Sequence, residues 1–323
     1  MSAGQQEMDS FMATGILFAV LTGISWIWIG VVISYAARNK VNIPYIQLFQ
    51  TLTGITISIV LLCTMGMLMK EQPEISARTK WLTAGCMISF GILNYFMFLA
   101  MGAAMRRGPN GIVWSVIQSG IVFPFLMGIL IFHVEPTLSR VGGMLLIVGS
   151  VILFGLGKEK KAAANVPGMR KNSWYFFALL GMLLCGLNQC CANLPSYLSN
   201  GEPVGSVYRA CFSQVGMLSG WLIGAVATHT LSPPKFHPGE LKKILFFAIS
   251  LNAVGLTANY LLFYNALDFL VEAGAGSLGY PLVVSSCIIG FFLYSVIFLR
   301  EKTGIFQKSG FIFGVAGIVI ICL

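Results

Sequence analysis

The sequence predicts an all-α membrane protein with ten transmembrane helices, arranged as two inverted five-helix repeats. Three observations lead to this prediction: a composition poor in charge, apolar stretches that recur along the whole chain, and a motif that occurs twice. Of the 323 residues, 57% are hydrophobic and only 10% are charged, whereas a soluble domain usually carries about a quarter charged residues. So few charges cannot cover a water-facing surface of this size, and the chain is therefore expected to lie in lipid.

The apolar stretches have the length of about 20 residues that a helix needs to cross a bilayer. Their apolar residues do not alternate, as the strands of a membrane barrel would; the run Ile244–Ile249 is an example. The first stretch has an acidic flank with Glu7 and Asp9 and is too long for a cleaved signal peptide. The predicted spans cover residues 11–36, 43–69, 81–105, 110–132, 138–157, 174–198, 204–229, 241–267, 273–299 and 305–323.

The basic residues predict how the spans are oriented. Fifteen of the 20 Lys and Arg residues lie in the odd-numbered loops, and loops rich in Lys and Arg remain in the cytoplasm. Both termini are therefore expected outside a cell (inner) membrane that the chain crosses many times. Because the formal charge of +9 is explained by these loops, no nucleic-acid partner is predicted.

The two halves of the sequence resemble each other. The motif Asn-Tyr-x-x-Phe at residues 94–98 recurs at residues 259–263, and Glu135 and Glu301 end the spans that follow. The first repeat covers residues 1–157, a basic linker covers 158–172, and the second repeat covers 173–323. Since each repeat has an odd number of spans, the two lie upside down relative to each other. Such repeats are typical of secondary transporters, which bind substrate near the membrane midplane.

Ten spans in two halves, each half with a Glu followed by a glycine-spaced helix, resemble the drug/metabolite transporter superfamily. The most similar stretch runs from Tyr280-Pro281 through Glu301 to Gly317, and the residues from Gly91 through Gly111 are similar to the L-rhamnose–proton symporter branch. This resemblance implies a central pathway lined by spans 1, 3, 4, 6, 8 and 9, with spans 5 and 10 at the periphery. It also implies uptake of a sugar together with a proton.

Polar side chains well inside spans are the candidates for substrate binding, because a polar group in hydrocarbon is costly without a partner or water. Amides and a few aromatic faces suit a neutral polar solute, although the same residues could serve only to hold helices together through hydrogen bonds. Asn252 and Asn259 are seven residues apart and are expected to share one helix face. The candidates are Asn94, Trp114, Ser115, Gln118, Gln189, Asn193, Asn252, Asn259 and Tyr280.

Charged residues inside or beside the spans leave three interpretations open: an ion pair, proton coupling, or side chains that extend to the membrane interface without a partner. Arg209 lies within the seventh span, and Glu202, Asp268 and Glu272 fall at the same face of the membrane. A lone buried charge is expensive, so Arg209 is expected to pair with one of these carboxylates. Alternatively, Glu272, Glu202 and Arg209 are candidates for proton coupling.

Prolines and glycines point to irregular helices and close packing. Pro124 and Pro281 are expected to interrupt spans four and nine, since proline removes a backbone hydrogen bond. Glycines such as Gly142 and Gly314 would let helices approach closely. The eight cysteines form no Cys-x-x-Cys motif and no Cys/His cluster, so no metal site is expected, and no motif points to a cofactor.

The sequence thus favours a secondary transporter, not an enzyme, that moves a small polar solute such as a sugar by alternating access. Export of amino acids or other metabolites is the alternative for direction and substrate. A membrane-embedded enzyme acting on lipid is the alternative class. The expected partners are the solute, a proton as the candidate coupling ion, and membrane lipid. Substrate, direction, coupling ion and oligomeric state stay open at this stage.

Overall fold

The computed structural model describes residues 3–68, 75–108, 110–135, 137–156, 173–198, 204–228, 238–300 and 304–321. Throughout these ranges the regular structure is helical, with no strand, which confirms the predicted α class. The α-helices are α1 (Ala3–Arg38), α2 (Ile43–Leu68), α3 (Ala77–Met105), α4 (Asn110–Gln118), α5 (Val122–Leu130), α6 (Leu138–Leu156), α7 (Ser173–Leu198), α8 (Ser206–Ala227), α9 (Pro238–Leu251), α10 (Tyr264–Glu272), α11 (Gly279–Ile297) and α12 (Ile305–Ile321).

Eight helical segments of the described chain are long and apolar enough to cross a membrane. They correspond to predicted spans 1–4 and 6–9. Predicted spans 5 and 10 correspond to the shorter apolar helices α6 and α12, which pack against each other. The eight segments cover Met8–Arg38, Ile43–Thr64, Ala77–Met105, Asn110–Leu130, Trp174–Leu198, Ser206–Ala227, Gly239–Glu272 and Gly276–Ile297.

The fourth segment is broken where the sequence predicts an interruption. Helix α4 ends at Gln118, a 3₁₀ turn covers Ser119–Ile121, and α5 begins at Val122. Pro124 has no N–H, and its ring conflicts with the carbonyl of Gly120 four residues earlier. The proline therefore explains the tighter turn.

The expectation for Pro281 is wrong. A 3₁₀ turn at Gly276–Leu278 precedes α11, and α11 begins only at Gly279. Pro281 is thus in the first turn of its helix, where the missing N–H has no helical partner to lose. It begins the helix and does not interrupt it.

The segment after α9 contains two turns of π-helix, at Asn252–Leu256 and at Asn259–Phe263, before α10. A π turn holds more residues than an α turn, so a spacing of seven no longer returns to the same face. The expectation that Asn252 and Asn259 share a face is therefore wrong, and the two side chains contact different helices.

The closest backbone contact of α3 and α8 is made by two glycines that face each other. A Cβ atom on Gly91 would collide with the carbonyl oxygen of Ser213, and one on Gly216 would collide with that of Ile88. Gly142 has no neighbour within 4 Å of such an atom, so the close contact expected there is absent. Gly314 does allow a close contact, since a Cβ atom there would lie 3.0 Å from Oγ of Ser150 on α6. Small residues at Gly91 and Gly216 likewise let α8 approach α3 closely.

Candidate functional site

A cavity lies among the helices at about mid-height of the bundle. Its volume is about 70 Å³, counted as the space open to the centres of water molecules, which is room for several waters. The wall is formed by α1, α3, α4, α7, α11 and the π turn at 259–263. Six of the nine predicted substrate-binding residues line it: Asn94, Trp114, Gln118, Gln189, Asn259 and Tyr280.

Two asparagine side chains are held in place by neighbours from other helices. The amide nitrogen of Asn188 on α7 donates to Oδ1 of Asn94 at 3.2 Å, and Nδ2 of Asn94 donates to Sδ of Met217 at 3.6 Å. On the other side, the indole nitrogen of Trp26 on α1 donates to Oδ1 of Asn259 at 3.1 Å. Both amides are therefore oriented before any solute arrives.

A second row of polar groups runs along α4 and α7. Nε2 of Gln189 donates to Sγ of Cys185 at 3.2 Å, and that thiol lies 3.6 Å from Oε1 of Gln118. Within the described part of the chain, Oε1 of Gln189 and the hydroxyl of Tyr280 are buried without a hydrogen-bond partner. Buried polar groups are normally paired, so these atoms are available to bind the polar groups of a solute or water.

The remaining wall is aromatic and apolar. The ring of Trp114 stacks on that of Phe291 with centroids 5.0 Å apart, next to Gly30, where a side chain would collide with both rings. Phe90 and Phe98 complete the aromatic lining. No charged side chain of the described residues lines the cavity. The site is therefore suited to an uncharged solute that has both hydrogen-bonding and apolar faces.

Close side-chain contacts lie along the helices on either side of the cavity, towards both ends of the bundle. At one end Tyr197 stacks on Phe132 at 4.1 Å between centroids, and its hydroxyl would lie 2.7 Å from a Cβ on Gly276. At the other end the Asn110 side chain lies 2.6 Å from the hydroxyl of Ser34 and, with its amide turned, 2.9 Å from Nε of Arg38. We call these two sets of contacts the closures.

Three predicted substrate-binding residues lie outside the cavity. Ser115 donates to the Gly111 carbonyl of its own helix at 2.9 Å, and Asn193 is buried one turn beyond Gln189. Asn252 turns towards α2, where Nδ2 donates to the carbonyl of Gln50 at 2.8 Å. Ser115 and Asn252 therefore bond to helix backbone and not to the cavity, while Asn193 is buried outside the cavity with Oδ1 unpaired among the described residues.

Arg209 forms an ion pair, as expected, and its partner is Asp268. The two side chains are 2.9 Å apart, and they are 0% and 12% exposed, respectively. A second nitrogen of Arg209 donates to the hydroxyl of Ser196 at 3.1 Å. Of the other two proton-coupling candidates, Glu272 is exposed at the end of α10, and Glu202 lies outside the described residues.

Two polar residues of the cavity, Trp26 and Asn188, were not among the nine candidates. Tryptophans of membrane proteins concentrate at the membrane interfaces, whereas Trp26 lies in the middle of the first segment. This unusual depth is the signal that could have identified it. Asn188 lies beside the candidate Gln189 and needed only the same argument about buried amides.

No family model matches the sequence, and no curated protein matches it. Solved structures do match, 28 chains in all. One of them, a crystal structure described only as that of a protein, is similar over 95% of this chain and 96% of its own, with a TM-score of 0.61 and 16% sequence identity. At this identity the likeness concerns the fold alone.

Proposed function

We propose that this protein is a secondary carrier that moves a small, uncharged polar solute across the cell (inner) membrane by alternating access. In this proposal α6 and α12 also cross the membrane, giving ten spans in two inverted repeats that meet at the central cavity. The observation that carries the proposal is the cavity itself. Both halves of the chain contribute amide and aromatic side chains to it, at the place where such carriers bind substrate.

The pattern of side-chain contacts supports an inverted repeat. Asn94 in the third helical segment accepts a hydrogen bond from Asn188 on α7, which would be the first helix of the second half. Its counterpart Asn259 accepts one from Trp26 on α1, the first helix of the first half. A pseudo-two-fold axis between the halves would produce this exchange. The mutual packing of α6 and α12 is consistent with the same axis.

The lining supports a solute of the sugar type. Hydroxyl groups would bond to the unpaired Gln189 oxygen and to Tyr280, while an apolar sugar face would stack on Trp114. The resemblance to the L-rhamnose–proton symporter branch of the drug/metabolite transporter superfamily agrees with such a solute and with proton coupling. Export of an amino acid fits less well, because no described charged side chain in the cavity would bind the two charged groups of that solute.

Uptake by the purified chain in sealed lipid vesicles tests the proposal. Labelled monosaccharides, polyols and amino acids would be offered with and without a pH gradient, and protein-free vesicles would serve as the control. We expect entry of a neutral polyhydroxy solute that exceeds the control and that also raises the apparent thermal stability of the protein. If no solute of the panel enters or stabilises the protein, or if the protein converts lipid to product in detergent, the proposal is wrong.

A further inference from the structure

The Arg209–Asp268 ion pair joins α8 and α10, which have only a small direct contact with each other. Helix α8, which carries Arg209, packs mainly against α2 and α3, whereas α10, which carries Asp268, packs mainly against α1. The 2.9 Å contact bridges them, and the bond from Arg209 to Ser196 adds α7. One buried arginine thus connects three helical segments on the same side of the cavity.

The two members of the pair differ in access to water. The Arg209 side chain is completely buried, while that of Asp268 keeps 12% of its surface exposed. Asp268 also lies one turn before Glu272, the last residue of its apolar segment, so a proton has a short path to the carboxylate from the aqueous side. Neutralising it would leave the Arg209 cation buried without a counter-charge, which strongly destabilises the contact between α8 and α10. Separating α8 from α10 would let water reach the guanidinium and remove this destabilisation.

Two aromatic side chains, Tyr264 and Phe263, connect the ion pair to the wall of the cavity. The Arg209 guanidinium carbon lies 5.8 Å from the centroid of the Tyr264 ring. The next residue back, Phe263, contacts Tyr280 edge to face at 5.3 Å, and Tyr280 lines the cavity. A shift of α8 relative to α10 would therefore move Tyr264 and Phe263, and through them the cavity residue Tyr280.

We propose that Asp268 is a proton-binding residue and that its neutralisation releases α8 from α10, which opens the cavity at the Tyr197 end. The use of this step for coupling rests on the proposed carrier function. The closure at the opposite end holds no described carboxylate, because Asn110, Ser34 and Arg38 meet there.

The surroundings of Asp268 contain few other groups that exchange protons. Glu272 follows one turn later on α10 and is exposed, and Asp9 is exposed near the start of α1. Helix α1 otherwise contacts this part of α10 through Phe11 and Phe18, which pack on Phe269. The described groups that face or flank Asp268 are Arg209 on α8, Ser196 on α7, and Tyr264 and Glu272 on α10 itself.

Hydrogen–deuterium exchange on the full chain in lipid nanodiscs tests the inference without any substrate. Backbone exchange in α8 and α10 would be compared at acidic and neutral pH, after correction for the intrinsic pH dependence of exchange. We expect wild-type exchange at the adjoining ends of these helices to rise about tenfold or more on acidification, since local opening controls protection. Asp268→Asn should exchange fast at both pH values.

Two further variants decide the outcome. Glu272→Gln removes the neighbouring carboxylate and should keep the wild-type pH response. Arg209→Gln with Asp268→Asn replaces the ion pair by two amides and should exchange slowly at both pH values, even where the single variant folds poorly. The inference is wrong if the double variant keeps the pH response, if Glu272→Gln abolishes it, or if the wild type lacks it. A pH response without solute uptake would overturn the carrier function and leave the role of Asp268 standing.

Discussion

Trp26 and Asn259 are 233 positions apart in the chain, yet the indole nitrogen of Trp26 donates a 3.1 Å hydrogen bond to Oδ1 of Asn259. The bond ties α1 to the π turn at 259–263 inside the cavity wall. It fixes the orientation of an amide that would otherwise rotate freely. A residue of the first helix therefore determines how an amide in the second half of the chain faces the cavity.

Trp26→Phe should weaken solute binding while the fold is retained. The phenyl ring keeps the contact with Phe263, whose centroid lies 5.1 Å from the Trp26 ring, but the hydrogen bond to Asn259 is lost. A lost bond of this kind costs about 1 kcal/mol, so the solute concentration for half-maximal uptake should rise about fivefold. Trp81→Phe is the control, because Trp81 is 74% exposed on α3. Equal effects of both variants would contradict a specific role for Trp26.

Asn94→Ala and Asn259→Ala should lower uptake far more than they lower the amount of folded protein. Each removes a polar group that lines the cavity. Asn265→Ala is the matched control, because among the described residues its amide bonds to the Leu261 carbonyl one turn earlier, on an exposed face away from the cavity. Uptake in vesicles and the yield of monodisperse protein would be measured side by side. If yield falls as much as uptake, these asparagines hold helices together and do not bind solute.

Gly91→Ala should destabilise the protein, whereas Gly85→Ala on the same helix should not. A Cβ at position 91 would collide with the backbone of α8, while one at position 85 has no neighbour within 4 Å. Overpacking of this kind costs about 1–3 kcal/mol, and alanine in place of an unhindered helical glycine stabilises by about 0.5–1 kcal/mol. Thermal unfolding in detergent measures both. A similar melting temperature for the two variants would show that α3 and α8 are less closely packed.

Arg209→Met should unfold at a markedly lower temperature, because it leaves the Asp268 carboxylate poorly exposed and without its cation. The expected loss is about 3–5 kcal/mol, and replacing both residues by apolar ones of similar size should recover most of it. Arg209→Met with Asp268→Leu is therefore more stable than the single variant but should lack the pH response of exchange. A double variant no more stable than Arg209→Met would mean that the pair is not the main contribution to stability at this position.

A reporter fused after Leu323 should be labelled from outside the cell. The expectation follows from the 15 basic residues in the odd-numbered loops. A second reporter, inserted in the basic stretch 158–172, should be protected in intact cells and labelled only after permeabilisation. The opposite pattern would reverse the orientation, and labelling of both from one side would contradict an odd number of spans in the second half.

The sequence predicted the helical class correctly, and six of its nine candidate residues line the cavity, because buried amides and aromatics in apolar stretches leave few alternatives. It failed for Asn252, since the argument from a spacing of seven assumes a regular α-helix, and two π turns change the rotation. It failed for Pro281 because the start of α11 depends on a 3₁₀ turn among small residues that hydropathy does not reveal. It named Asp268 only as one of three partners for Arg209, since sequence shows the depth of a residue but not which neighbouring helix it meets.

Because of the π turns between α9 and α10, the direction in which the side chains of α10 point depends on the number of residues in the segment 252–263. A π turn is equivalent to an α-helix that has gained a residue. Deleting one residue between positions 252 and 263 would therefore leave a continuous helix but rotate its later part by about 100°. Asp268 would then turn away from Arg209, although both residues and all their local sequence were unchanged. Natural variation in this protein is accordingly expected to tolerate substitutions in this segment more readily than changes in its length.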